Sequence, residues 1–127
     1  MKVIAASGLA LSMFAASLHA QENLAGTYPG TFRLQTNQGV FPIEITLLIT
    51  DASEGKLRGK AIRGSRGGVG QSCSGEYKVA GTYKDNKIDL KAEPGGRAGD
   101  CPMRLRLVKE GNHLTGKMGR LDVEFWK

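Results

Sequence analysis

Three kinds of side chain in this sequence could do chemistry: one histidine beyond residue 20, two cysteines, and arginines set among glycines. His113 stands at a turn-flanked strand start, and no motif pairs it with a nucleophile and an orienting acid. Asp51 with Glu54, and Asp122 with Glu124, are the carboxylate pairs available for acid–base work. Strand alternation places Asp122 and Glu124 side by side on an outer surface, where carboxylates are solvated. A zinc or calcium centre needs more His, Cys or clustered Asp and Glu than the chain offers. These residues argue against catalysis, a metal or any other cofactor. An enzyme built around His113 is the least favoured reading.

Cys73 and Cys101 are the only cysteines, and they are not in C-x-x-C spacing. In an oxidising compartment such a pair forms a disulfide by default. The closed loop of about 29 residues is worth about 3.6 kcal/mol on the chain-entropy account. Each cysteine follows a glycine-rich segment that carries arginine. One runs from Arg63 through Arg66 to Ser72, and the other from Glu93 through Arg97 to Asp100. Glycine-rich backbone can offer N–H groups to an anion, and arginine offers a planar fork of donors. No helix follows either segment, so neither is a phosphate-cradling P-loop. Arg63, Arg66 and Arg97 are the candidate binding rim, stapled by Cys73–Cys101.

The elements that must hold this rim are strands. Phe41, Ile43, Ile45, Leu47 and Ile49 share one parity, while Glu44, Thr46 and Thr50 share the other. A strand over 41–50 therefore has one apolar face and one mostly polar face. Tyr28, Phe32 and Leu34; Tyr77, Val79 and Tyr83; Ile88 and Leu90; Met103, Leu105 and Leu107; and Leu121, Val123 and Phe125 repeat the alternation. Leu114 joins them in the expected interior. Turn chemistry at Thr36–Gly39, Asp51–Gly55, Lys84–Asn86 and Glu110–Asn112 closes the runs into antiparallel neighbours. Glycines 30, 59, 81 and 116 fall inside strands and suit bulges and sharp bends. The count gives an all-β, antiparallel up-and-down barrel of about eight strands, seven if Tyr77–Tyr83 is one long strand. Connections in such a barrel alternate ends, so the third and fifth, which carry the arginines, share one mouth. Two strand spacings separate the strands after the cysteines, so either the bridge bends over the barrel end or the strand count is off by one.

Residues 1–20 combine Lys2, an apolar run of about 15 residues and small Ala20 at its close. That run is short of the roughly 20 residues of a membrane span and reads as a cleaved secretory signal. Residues 21–127 then form one domain, periplasmic or secreted, with 17 basic and 12 acidic residues. The excess favours anionic partners, but no basic arm or aromatic-basic strand points to nucleic acid.

The strand order and the opening Gly26-Thr27-Tyr28 resemble the calycin-type barrels, the lipocalin and avidin group. The resemblance implies a closed meander around a central cavity. Tyr28 stands where those families have Trp, and Trp126 is the only tryptophan, so no avidin-like biotin site is carried over. The expected function is non-catalytic binding of an envelope or secreted protein, or an anionic polymer, through the arginine-bearing end. The alternative is a calycin-like carrier of a small apolar ligand, although the many large interior residues favour a filled core. Mass spectrometry of the exported protein is expected to give a chain starting near Gln21 with no titratable thiol. Retention of residues 1–20, or two free thiols, would contradict it.

Overall fold

The computed structural model describes residues 24–66, 73–93, 101 and 103–127; the expected signal at 1–20 and Arg97 lie outside them. Eight antiparallel strands close into a barrel in simple sequence order. They are β1 (Gly26–Thr36), β2 (Gly39–Ser53), β3 (Lys56–Arg63), β4 (Gly75–Lys84), β5 (Lys87–Ala92), β6 (Arg104–Glu110), β7 (His113–Met118) and β8 (Leu121–Trp126). Tyr77–Tyr83 lies within the single strand β4, and the count is eight. No helix among the described residues is long and apolar enough to cross a membrane.

Alternation decides what is inside. Tyr28, Phe32, Ile43, Ile45, Leu47, Tyr77, Val79, Ile88, Leu90, Met103, Leu105, Leu114, Val123 and Phe125 are buried, as their parity requires. Phe41 and Leu121 are only half-buried, because they stand at or near strand starts at the rim of the barrel. Leu24, Ile49, Leu57, Ala61, Cys101, Leu107 and Met118 complete the core. Leu24 precedes β1 and is held at one end of the barrel, where its carbonyl accepts the Tyr28 hydroxyl at 2.8 Å.

Interior rows mix large and small side chains, which lets eight strands fit around so narrow a space. Leu57, Gly81, Leu90, Leu105 and Met118 face one another in register from β3 to β7. A Cβ on Gly81 would fall on the Asp89 carbonyl oxygen of β5. The strand glycines therefore serve close backbone approach. At Gly59 the expected bulge is also present: the register between β2 and β3 shifts between Ile49, its partner, and Asp51. Tight turns follow the expected residues: Glu54 and Gly55 between β2 and β3, and Asp85 and Asn86 between β4 and β5, all take positive φ.

Closure rests on the shortest ladder. β1 meets β8 only over Gly30–Phe32 against Val123–Phe125, whereas it pairs with β2 along its whole length. Leu47 sits in the middle of the interior, opposite Tyr28 and Ala61. Leu47→Ala should therefore cost about 2–5 kcal/mol, and Thr46→Ala on the outer face about 1 kcal/mol or less. Denaturant melts giving equal losses for the two variants would place the wrong face inward.

Candidate functional site

The β3–β4 and β5–β6 connections leave the same end of the barrel, and the Cys73–Cys101 disulfide joins them with Cα atoms 5.6 Å apart. The intervening strand does not obstruct the bridge. Cys73 precedes β4, Cys101 precedes β6, and β5 has already ended at Ala92. Backbone bonds fasten this end: Ala92 N–H donates to the Met103 carbonyl at 2.9 Å, and Glu93 N–H to that of Lys78 at 2.8 Å. From inside the barrel, the Tyr77 hydroxyl donates to the Cys73 carbonyl at 2.6 Å.

Arg63 departs from its expected place on the rim. It is the last residue of β3 and shares the inward parity of Leu57 and Ala61, so its side chain enters the barrel. Only 7 % of its surface is exposed, and it is the one buried charged residue among those described. In register it has Ile45 on one side and Gly75 on the other, and Gly75 presents no side chain beside it. The guanidinium lies over the Phe32 ring, 4.8 Å from its centroid. Its Nε is shut off from solvent and has no hydrogen-bond partner. Burial pushes its pKa below the ordinary arginine value, and the Coulombic influence of Tyr77 partly opposes that shift. Arginine remains a cation under such conditions. Among the described residues no carboxylate pairs with it.

The remaining candidates separate. Arg66 is exposed, in the connection that follows β3. Arg97 lies outside the described residues. His113 is at the opposite end, on the outer wall, with Nε2 3.3 Å from Glu124 Oε2 and its ring stacked on Trp126 at 5.4 Å. Asp122 pairs with Lys117, which leaves it no part in an acid–base pair with Glu124. Asp51 and Glu54 are exposed on the β2–β3 hairpin. Among the described residues, no three His, Cys, Asp or Glu side chains converge to hold a metal.

Phe32 was legible only as a core residue, yet its ring lies beneath the Arg63 guanidinium. The signal that could have placed Arg63 inside was β3 parity, followed past Gly59 to the strand's end. Chemically, a largely buried guanidinium at the mouth of an apolar barrel could pair with an anion arriving from outside.

No protein-family profile, no curated protein and no solved structure matches the chain.

A buried polar group left without a partner is destabilising by about 1–3 kcal/mol. Arg63→Met keeps the length and apolar stem while removing that penalty. Its unfolding midpoint should rise, with a gain of up to about 1–3 kcal/mol. A fall in stability would make Arg63 a structural residue.

Proposed function

We propose that this protein is an exported, non-catalytic binding protein whose disulfide-stapled end receives an acidic group of an envelope or secreted partner. The observation that carries the reading is Arg63, a charge enclosed at that end with no carboxylate from the described residues beside it. A partner's carboxylate or phosphate would supply the missing half of the pair, out of bulk water, where charge-assisted bonds are strong. Exposed Arg66 adds local positive charge that steers such a partner inward. Export rests on the sequence of residues 1–20 and agrees with the disulfide.

A carrier of an apolar ligand is the second reading. Against it stands the filling of the described interior, with Tyr28, Phe32, Tyr77 and Phe125 all essentially unexposed. The non-catalytic reading is supported by the placement of His113, engaged with Glu124 and Trp126 on the outer wall. The eight-stranded meander supports kinship with the calycin-type barrels as a proposal.

Capture from an envelope extract tests the reading. The wild-type protein should retain a partner that raised salt releases. Arg63→Met should retain at least about 10-fold less, the equivalent of about 1.4 kcal/mol. Equal capture by the two proteins would remove Arg63 from function.

A further inference from the structure

The geometry points to a phosphate-binding site on the outer wall of the barrel, formed by Arg104, Arg106 and Lys117 and separate from Arg63. Two adjacent cross-strand rows create it. In one, Lys91 of β5 faces Arg104 of β6. In the other, Asp89, Arg106, Lys117 and Asp122 follow one another across β5, β6, β7 and β8. Like charges directly opposed on neighbouring strands destabilise a sheet. Here that happens twice, at Lys91 with Arg104 and at Arg106 with Lys117.

The carboxylates on this wall are bonded to other cations, and Asp89 reaches Arg106 only through its field. Asp89 faces it in register, but the Asp89 carboxylate is taken by the fork of Arg104, at 3.2 Å from Nε and 3.0 Å from Nη2. That bond holds Asp89 below the usual carboxylate range. Asp122 is bonded to Lys117. Among the described residues Arg106 has neither an ion pair nor a hydrogen bond. Its fork is the free one.

The wall also holds nearly all of the chain's charge excess. Outside residues 1–20 there are 17 basic and 12 acidic residues. The two rows, with Arg33 and Arg120 at their margin, carry six of the bases and only Asp89 and Asp122 of the acids. Eleven bases and ten acids remain for the rest of the protein, and these nearly cancel.

Shape completes the site. Arg104, Arg106, Lys117 and Gly119 line a concavity of about 210 Å³. At about 30 Å³ per water, that holds a tetrahedral oxyanion with part of its hydration. Gly119 takes φ +63° in the β7–β8 turn, and nothing lies within 4 Å of the Cβ position it lacks. Its N–H donates to the Arg104 carbonyl at 3.0 Å, which fixes the turn beside the arginines. A phosphate group brings about two charges and three free oxygens, enough to meet the free Arg106 fork and the donors that the Lys117 ammonium keeps beyond its bond to Asp122.

Titration of the exported protein with inorganic phosphate, followed by amide and arginine side-chain NMR, tests the assignment. Saturable shifts are expected at Arg106, Lys117 and Gly119. Arg106→Gln should weaken the binding about 10-fold or more, while Arg58→Gln, on the outer face of β3, leaves it unchanged. Arg106 is exposed and opposed by a like charge, so its replacement leaves the barrel intact, as an unchanged amide spectrum elsewhere would verify. Co-sedimentation with phosphatidylcholine vesicles, plain or carrying phosphatidic acid, separates the sources of the group. Retention on the phosphatidic acid vesicles alone, lost in Arg106→Gln, assigns a lipid headgroup; phosphate binding without retention assigns a soluble phosphate. No saturable shift, equal binding by Arg106→Gln, or equal shifts from acetate would overturn the site.

Discussion

An eight-stranded barrel is barely wide enough to be filled by its own side chains, and that narrowness governs the rest of the molecule. Each interior row must combine residues whose volumes sum to the space available. Tyr28, Leu47, Ala61 and Tyr77 form one such row, with Ala61 yielding to the two tyrosines. Gly116 does the same beside Leu107 and Val123. Where the row holds glycine, the strands approach until a Cβ would strike a neighbouring carbonyl. A guanidinium admitted to this interior is therefore not a chance occupant. It displaces an apolar side chain of similar length that would pack there without an unpaired charge.

The stapled end combines two effects of opposite sign. The disulfide limits the freedom of the unfolded chain, worth about 3.6 kcal/mol for its loop. The unpartnered Arg63 opposes folding by about 1–3 kcal/mol. The staple outweighs the buried charge, so the barrel tolerates Arg63 at its mouth and stays closed. Tyr77 couples the two, with its hydroxyl on the Cys73 carbonyl and its ring position in the row next to Arg63. A destabilising residue at one end, offset by a covalent tie at the same end, is the distribution expected of a binding site.

Alternation made most of the barrel legible, since Phe41–Thr50 and its shorter relatives carry a strong period of two. The hairpins followed from turn chemistry because each joins neighbours in sequence. Closure into a barrel was legible from the run of short strands and short turns, although β1 meets β8 over only three residue pairs. Two features were less legible. The strand glycines read as bulges, which holds at Gly59 beside the register shift, whereas at Gly30, Gly81 and Gly116 the missing side chain admits a neighbouring carbonyl that sequence does not show. Arg63 read as a rim residue because an apolar–polar code assigns every arginine to the outside. On β3, Gly59 interrupts the apolar series just before that assignment fails.

The same end of the barrel thus uses arginine in two dielectric settings. Arg63 is enclosed, so under the proposed function a group that reached it would be selected by fit and by the loss of competing water. Arg106 is exposed, so its contribution is screened by salt and acts chiefly on encounter. The two are joined through β6 and its approach: Cys101 ties the β3–β4 connection, Met103 turns inward, and Arg104 begins the outer row two residues before Arg106. A shift of one residue in that segment would exchange the faces of Met103 and Arg104. It would bury a charge and expose a core side chain together. The backbone bond from Ala92 to Met103 fixes the register against such a slip. One short stretch of β ladder beside the staple therefore holds the outer cations of β6 in place, while the ladders to β2 and β4 hold Arg63.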